Sequence, residues 1–213
     1  MQPDQLVSKL HWLGHDSFRL DGPPVIYFDP WKLRGRQIPA DLVLVSHDHF
    51  DHCSPDDVKK VCGPKTVVVA SSGAAAKLPG AQVVNPGDRL TAAGIDIEAV
   101  PAYNLTKFRS PGVPFHPKDA GHVGYVVTVG GVRLYFAGDT DQIPEMADID
   151  CDVALLPVSG IYVMTAEEAA AAARTIKPQV AVPMHYGAGI GTEGDGQRFT
   201  ELYGGQVVIL PGE

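Results

Sequence analysis

The sequence has few cysteines, no long apolar run and no excess of positive charge, and each absence excludes a class of protein. Its three cysteines, Cys53, Cys62 and Cys151, show no CxxC spacing, which excludes a disulfide framework and a zinc ribbon. No apolar run approaches the length of a membrane span and the first residues show no secretory signal, so we expect a cytoplasmic protein without a membrane partner. With 17 Lys and Arg against 25 Asp and Glu, the formal net charge of −8 argues against a broad nucleic-acid-binding surface.

The composition is that of an ordinary globular protein, with 45% hydrophobic and 20% charged residues. A length of 213 residues fits one domain, 1–213. The 23 glycines and 18 prolines are scattered at turns, which indicates many short strands and loops. Both halves pass from strands to a helix and back to strands. This order predicts an α/β fold in which two sheets pack together with helices outside.

Short apolar runs predict strands along the whole chain. The predicted strands are Lys9–Trp12, Ser17–Leu20, Val25–Phe28, Leu42–Ser46, Val67–Ala70, Gln82–Val84, Ile95–Val100, Val123–Val129, Val132–Phe136, Val153–Pro157, Val180–Pro183 and Gln206–Leu210. Gly130-Gly131 predicts a hairpin turn, and Thr165 with Glu168 forms a capping box that begins a helix. Residues 102–121 contain three prolines and little periodicity, which predicts a long loop of functional importance.

The most informative segment contains the pattern His-x-His-x-Asp-His, formed by His47, His49, Asp51 and His52. It follows a predicted buried strand, where open α/β sheets usually place their sites. Residues two apart in a loop can face the same way, so His47 and His49 can share one metal ion. Asp51 and His52 follow a turn and can hold a second ion beside it. The alternative, a histidine-rich surface loop, does not require so many ligand-type side chains within six positions.

Two later strand ends carry further ligand-type residues. Asp139 follows Gly138 after a predicted strand, and a carboxylate there can bridge two metal ions. His185 follows another predicted strand within Pro183-Met184-His185-Tyr186-Gly187. Alone, a Gly-Asp turn or a single histidine after a strand is common and has a structural explanation. Their joint appearance with the His-x-His-x-Asp-His pattern favours a metal site.

On these three motifs, the chain resembles the metallo-β-lactamase-fold hydrolase superfamily, and it looks closest to a branch of small, lactonase-like enzymes. Three further segments typical of that branch are Trp12-x-Gly14-His15, Asp29-Pro30 and Pro157-Val158-Ser159-Gly160. The resemblance implies a four-layer αββα sandwich of two mixed sheets, with metal ions at one edge. It also implies that His47 and His49 bind the first ion, that Asp51, His52 and His185 bind the second, and that Asp139 bridges the two.

The chain departs from the superfamily pattern after the predicted strand Ile95–Val100. Many relatives have a further histidine there, whereas this sequence reads Pro101-Ala102-Tyr103-Asn104. We rank His116 first as the missing ligand of the first ion, Asn104 second and His122 third. If none of them coordinates, the first site has fewer protein ligands and is weaker, and a single-metal enzyme becomes an alternative.

Several other residues are candidates for supporting roles. Asp29 is the first candidate for the carboxylate that orients a ligand histidine, with a turn before Pro30 as the alternative. His15 can line the cleft. Lys107, Arg109 and Lys118 lie in the 102–121 loop, where they can bind an anionic substrate group or remain solvated charges. Three tyrosines near predicted strand ends can stabilise an oxyanion, namely Tyr103, Tyr162 and Tyr186.

These features together predict a metal-dependent hydrolase. We expect two divalent ions, zinc or manganese, that activate water for attack on a small substrate. The bond attacked belongs to a lactone, another ester or a phosphodiester. The substrate is anionic if the loop cations bind it. Asp51 and Asp139 are the predicted catalytic carboxylates. We also expect a homo-oligomer without nucleic acid as partner. The alternatives are a nuclease of the same superfamily, a metal-binding protein without turnover, and a di-iron redox protein, which normally works with a flavin domain.

Overall fold

The first of two mixed β-sheets is built from the N-terminal half of the chain. The computed structural model describes residues 1–187 and 189–213. The six strands of this sheet pair in sequence order, and they are Leu10–Gly14 (β1), Ser17–Leu20 (β2), Ile26–Phe28 (β3), Ala40–Val45 (β4), Cys62–Ser71 (β5) and Gln82–Val84 (β6). The pairs from β1 to β3 are antiparallel, and those from β3 to β6 are parallel.

The C-terminal half builds the second mixed sheet. Its strands are Arg89–Ala92 (β7), Ile95–Pro101 (β8), Phe108–Ser110 (β9), Val113–Pro114 (β10), Val123–Val129 (β11), Val132–Phe136 (β12), Val153–Pro157 (β13) and Val180–Met184 (β14). Six of these strands form one sheet in the order β14-β13-β12-β11-β8-β7, and β9 pairs with β10 in a separate hairpin. Strands β12, β13 and β14 are parallel, and the other pairs in the sheet are antiparallel.

Helices cover the outer faces of both sheets. They are Pro3–Val7 (α1), Pro55–Val61 (α2), Ser72–Ala75 (α3), Ala166–Ile176 (α4) and Gly194–Tyr203 (α5), with short 3₁₀ turns at Lys118–Ala120 and Pro144–Asp148. Buried residues of α2 and α3 pack with strands of the first sheet, and α4 and α5 contact β13 and β14 of the second. The predicted αββα sandwich is therefore confirmed.

The two-residue period of β4 explains how one strand serves two hydrophobic layers. Leu42 and Leu44 point into the core between the sheets, whereas Val43 and Val45 face α2 and α3. All four side chains are buried, so the strand is apolar on both faces. Phe28 of the first sheet packs against Phe136 of the second, with 5.2 Å between their ring centroids. Both sheets thus share one core, which fixes their strand ends relative to each other.

The predicted turn and capping signals are confirmed. Gly130 and Gly131 have φ values of 58° and 82° and join β11 to β12, which is the left-handed conformation that a tight hairpin turn requires. The Thr165 hydroxyl accepts a hydrogen bond from the Glu168 backbone N–H, and the Glu168 carboxylate accepts one from the Thr165 N–H. This capping box begins α4.

The predicted strand Gln206–Leu210 is wrong, because only Val207 forms an isolated bridge with Ala181 of β14. The Ala181 N–H donates to the Gln206 carbonyl, and the Val208 N–H donates to the Ala181 carbonyl. The next donor on this side of β14 would be residue 183, which is a proline without an N–H. The ladder therefore stops after one residue pair.

Two segments are more ordered than the sequence indicates. Residues 102–121 include the hairpin of β9 and β10 and a 3₁₀ turn, and α5 begins at Gly194 although Gly196 follows in the same turn. Phe199 of α5 is fully buried in the main core, so packing outweighs the low helix propensity of its glycines. Across the described residues, no helix is both long enough and apolar enough to cross a bilayer.

Candidate metal centre

Loops from both sheets meet at one edge of the sandwich and bring most of the predicted ligands together. The predicted motif residues follow β4, while Asp139 follows β12 and His185 follows β14. His15 follows β1 and Asp29 follows β3. The side chains of these loops lie within a few ångströms of one another, as the distances given below show.

The first ligand group consists of His47, His49 and His116. His47 Nε2 lies 3.0 Å from His49 Nδ1, and His116 Nε2 lies 3.2 Å from the same atom. One ligand atom from each residue lies within 4.8 Å of the other two, which is close enough for all three to share an ion. Three imidazoles are a common ligand set for zinc.

The second ligand group consists of His15, His52 and His185, whose ligand atoms also lie within 4.8 Å of one another. Asp51 approaches this group through His15, whose Nε2 lies 3.4 Å from Asp51 Oδ2. Within the described part of the chain, Asp51 does not join a set of three mutually close ligand atoms. Sequence reasoning placed Asp51 directly beside His52 and treated His15 as a residue of the cleft wall. Asp16 also adjoins this group, and its carboxylate belongs to a close set with His52 and Asp139.

Asp139 lies between the two groups and turns one oxygen toward each. Its Oδ2 is 3.1 Å from His116 Nε2 of the first group. Its Oδ1 is 3.4 Å from His52 Nε2 and 3.5 Å from His185 Nε2 of the second group. Among the described residues, the buried Asp139 Oδ1 and His52 Nε2 have no hydrogen-bond partner. Buried polar atoms are rarely left unpaired, so a nitrogen and an oxygen aimed at one point fit a metal ion.

The outer ring nitrogens of two ligand histidines are fixed by one buried carboxylate and a serine. His52 Nδ1 lies 2.8 Å from Asp29 Oδ2, and because a carboxylate only accepts, Nδ1 carries the hydrogen. The Ser46 hydroxyl donates to Asp29, so it accepts from His47 Nδ1 at 2.9 Å. In both rings Nε2 then presents its lone pair to the site, as metal ligation requires. Asp29 therefore occupies the supporting position predicted for it.

His116 and His185 are oriented in the same manner by polar side chains that sequence reasoning did not assign to this role. His116 Nδ1 donates to Asn104 Oδ1 at 2.9 Å, and the His116 backbone N–H donates to the same oxygen. His185 Nδ1 lies 2.9 Å from the Ser159 hydroxyl. Ser159 lies in the Pro157–Gly160 segment, which is typical of the resembled branch but had no predicted role.

The structure shows different positions for the three candidates for the missing ligand of the first ion. His116, which ranked first, joins the first ligand group. Asn104 uses its carbonyl oxygen to hold His116 and donates its amide to Asp141 Oδ1 at 3.1 Å. His122 lies 3.7 Å from Asp48 Oδ1 and joins none of the ligand sets found among the described residues. Asn104 thus acts as the partner of His116.

The pKa values of the site residues shift in different directions. Burial opposes protonation of His52 and His185, but the Asp139 carboxylate raises the pKa of both. Burial lowers the pKa of His15 to about 4 and that of His47 well below its usual range, which leaves both imidazoles neutral at pH 7. Burial opposes ionisation of Asp139, but the charges of surrounding histidines hold its pKa well below its usual range. Burial also raises the pKa of Asp51, yet the bond with His15 and nearby histidines brings it down to about 2.

Three residues of the site adopt left-handed backbone conformations that side chains other than glycine rarely take. The φ angles are 54° at His15, 40° at Asp29 and 57° at His185. Such strain costs on the order of 1–3 kcal/mol per residue and is concentrated at functional sites. Gly138 also has a positive φ, and a Cβ there would meet the Ser46 Cβ at 3.2 Å. The glycine before Asp139 is therefore required by close approach of the two loops.

The predicted anion-binding role of the 102–121 loop is not supported by the positions of its cations. Lys107 Nζ lies 2.7 Å from Glu168 Oε2, and Lys118 Nζ lies 2.7 Å from Glu145 Oε1. Arg109 lies over the Phe115 ring at 5.6 Å. None of these three cations lines the cleft of about 1030 Å³ that opens onto the metal centre among the described residues.

Two of the three candidate tyrosines do line this cleft. Tyr162 and Tyr186 form part of its wall, together with His15, His49 and Asp139. Tyr186 stacks on Trp12 with 4.9 Å between ring centroids. Tyr103 instead donates its hydroxyl hydrogen to Glu145. The oxyanion role predicted for tyrosine is thus open to Tyr162 and Tyr186.

Replacing Asp29 by Ala is expected to weaken metal binding by about 10- to 100-fold, because His52 loses the acceptor that fixes its ring. The buried Ser46 N–H also loses its acceptor at 2.7 Å, at a cost of about 1–3 kcal/mol in stability. The measurement is competition for the metal with a chromophoric chelator. Asp41→Ala is the control, since Asp41 accepts the Val25 N–H away from the site and should leave metal affinity unchanged. Equal affinities in both variants would contradict the role of Asp29.

Comparison with known proteins identifies the family. Residues 9–185 match the family model described as the beta-lactamase superfamily domain. The chain belongs to this superfamily. The matched range contains the His-x-His-x-Asp-His motif, Asp139 and His185.

Relatives from this superfamily are similar to the protein over most of its chain. A metal-dependent hydrolase of Thermoplasma acidophilum is 32% identical and covers 95% of each chain. One from Methanoculleus marisnigri is 38% identical over 84% of this chain and 80% of its own. The crystal structure of a Parabacteroides distasonis protein, also named a metal-dependent hydrolase, has a TM-score of 0.85 at 35% identity and covers 96% of this chain and 93% of its own. The prediction of a metal-dependent hydrolase of this superfamily is confirmed at this level.

Proposed function

We propose that the protein binds two divalent ions and hydrolyses a lactone, another carboxylic ester or a phosphodiester of a small substrate. The observation that supports two ions most directly is the position of Asp139, whose two oxygens lie 3.1 Å and 3.4 Å from histidines of different ligand groups. His47, His49 and His116 would hold the first ion. His52 and His185 would hold the second, with His15 or Asp51 beside them. Mixed nitrogen and oxygen ligands suit zinc or manganese.

The residues around the site have distinct roles in the proposed reaction. Two such ions, when bound, lower the pKa of water toward about 7 and polarise the bond under attack. Asp139 stays ionised because histidines surround it, so its oxygens can orient the attacking water between the two groups. Asp51, which lines the cleft, can accept the proton that this water releases. Tyr162 or Tyr186 can donate a hydrogen bond to the oxygen that gains charge.

The resemblance to small lactonase-like enzymes makes a lactone or simple ester the first choice of substrate. The cleft is large enough for a small molecule and is lined partly by aromatic side chains, including Trp12, Trp31 and Phe115. A ring or acyl group can bury its apolar surface there while its carbonyl reaches Asp139. A phosphodiester is the second choice, since the same arrangement of carboxylate and histidines serves phosphoryl transfer.

Metal content and a substrate panel test this proposal together. We expect about two zinc or manganese ions per chain, by mass spectrometry of protein purified without chelator. The panel contains a lactone, a nitrophenyl ester, bis-nitrophenyl phosphate, a β-lactam and a short RNA. Turnover of the lactone, ester or diester, lost with chelator and restored by metal, is the expected result. Metal without turnover would favour a non-catalytic metal-binding protein, cleavage of RNA alone would favour a nuclease, and no metal after reconstitution would overturn the site.

A further inference from the structure

A cluster of positive charge lies on the wall of the same cleft, in the segment between β3 and β4. Lys32, Arg34 and Arg36 fall within five residues of one another, and all three line the cleft that also contains His49 and Asp139. The chain as a whole has a formal net charge of −8, so this is a local concentration of the opposite sign. We call these three residues the cation cluster.

The cation cluster is not neutralised by the protein. None of its three side chains lies within 4 Å of an acidic group belonging to residues 1–187 or 189–213, and all three are exposed. Lys32 Nζ lies 4.0 Å from the centroid of the Trp31 ring, so the anion-binding role falls to Arg34 and Arg36. By contrast, the fourth cation on the cleft wall, Arg19, lies 2.6 Å from Asp21. Unpaired guanidinium groups beside a substrate cleft are available to an anionic ligand, which they can hold with two parallel hydrogen bonds.

The backbone of this segment is held in place relative to the metal centre. The N–H groups of Lys32 and Leu33 donate to the two oxygens of Asp57, at 2.9 Å and 3.1 Å. Lys60 Nζ donates to the Leu33 carbonyl at 3.0 Å. Asp57 and Lys60 belong to α2, which begins three residues after His52. The helix that follows the metal motif therefore also positions the cation cluster.

Aromatic side chains lie between the metal motif and the cation cluster. Phe50, inside the motif, is 75% exposed and packs edge-on against Trp31 with 6.1 Å between ring centroids. Trp31 also lies 5.3 Å from the His15 ring and directly precedes Lys32 in the chain. A large aromatic residue so exposed at the rim of a cleft is a surface on which an apolar ligand group can pack.

We propose that the substrate is amphipathic, with an anionic carboxylate or phosphate group that Arg34 and Arg36 bind. Its apolar part lies against Trp31 and Phe50, and its scissile bond reaches Asp139. The inference rests on the proposed function and narrows its substrate class. It also moves the anion-binding role from the 102–121 loop, where acidic partners occupy Lys107 and Lys118, to the segment between β3 and β4.

The test compares two nitrophenyl esters of equal acyl length, the anionic mono-nitrophenyl glutarate and the neutral nitrophenyl valerate. In Arg34→Gln/Arg36→Gln, KM for the glutarate ester is expected to rise by about tenfold or more, while KM for the valerate ester changes by less than about twofold. The control is Lys59→Gln/Lys65→Gln, which removes the same charge from exposed positions that do not line the cleft. It should leave both KM values within about twofold of the wild type.

Direct binding measurements distinguish a phosphate ligand from a carboxylate ligand. They also distinguish failure of the anion site from failure of the proposed function. Calorimetry with phenyl phosphate and with benzoate on the metal-loaded wild type and both double variants shows whether phosphate or carboxylate is preferred. Loss of anion binding in Arg34→Gln/Arg36→Gln, with binding retained in the lysine control, supports anion binding by the cation cluster. If the metal-loaded wild type turns over neither these esters nor any member of the substrate panel, the proposed function fails, and calorimetry still decides on the anion site. Equal shifts for both esters, or unchanged binding of both anions, would overturn the inference.

Discussion

Asp139→Ala is expected to lower the rate of hydrolysis by about 10³-fold or more and to reduce metal content below one ion per chain. Asp139 is the residue that faces both ligand groups, so its removal affects both ions at once. The two oxygens are also the only carboxylate atoms within 3.5 Å of His52 Nε2, His116 or His185 Nε2 among the described residues. Activity is measured on the best substrate of the panel, and metal content by mass spectrometry.

The control for this variant is Asp150→Ala, because the Asp150 side chain is 91% exposed and far from the strand ends that carry the site. Asp150→Ala should retain full activity and metal content. Circular dichroism of the Asp139→Ala protein should show the wild-type spectrum, since β12 and its neighbours keep their buried core. Full metal content together with full activity in Asp139→Ala would refute the bridging role.

His116→Ala is expected to remove one metal ion and leave the other, so that the stoichiometry falls from about two to about one per chain. His116 contributes its Nε2 to the first ligand group, which would keep only His47 and His49. The second group keeps all its ligands. Activity should fall by about 10²-fold or more, because one of the two ions that activate the water is missing.

Two neighbouring substitutions make this prediction sharper. His122→Ala should leave metal content unchanged, although the His122 ring lies 4.8 Å from the His47 ring, since His122 joins none of the described ligand sets. Asn104→Ala should keep both ions at high metal concentration but weaken one of them by about 10- to 100-fold, because His116 loses its orienting acceptor. A full complement of two ions in His116→Ala, or a loss in His122→Ala, would reverse the ranking of the two histidines.

The parts of the site that could be predicted are those revealed by a short sequence motif or by a predicted strand end. The motif from His47 to His52 follows directly from spacing, and Asp139 and His185 follow from their position at strand ends. The carboxylate behind His52 could be anticipated because Asp29 ends a neighbouring strand. The proximity of these residues could be predicted because strand ends at one edge of a sheet are close together in any fold of this kind.

The parts that could not be predicted depend on contacts between distant segments. The ion pairs of the loop cations cannot be read from the sequence because their partners lie far along the chain: Glu168 is 61 residues from Lys107, and Glu145 is 27 from Lys118. Sequence alone also gave no reason to single out Arg34, since the segment after β3 shows no periodicity. Whether a surface charge is paired is decided by tertiary packing, which single-sequence patterns do not contain.

The same limit explains the errors in the fold. The C-terminal segment has the short apolar run of a strand, yet Pro183 on its partner β14 lacks the N–H donor that a second residue pair needs. Helix α5 was missed because Gly194 and Gly196 argue against a helix, whereas burial of Phe199 favours one. In both cases a neighbour in space outweighs the local pattern.

The proposed ligands come from loops of both sheets, with His47 and His52 on the first and Asp139 and His185 on the second. Under the proposed assignment, each ion cross-links the two halves of the sandwich, so its binding free energy adds to that of folding. At a free metal concentration 100 times the Kd, mass action adds about 2.7 kcal/mol per ion. Metal starvation of the cell would then shorten the lifetime of the protein against proteases as well as stop its turnover. Trace-element supply would therefore control both its abundance and its activity.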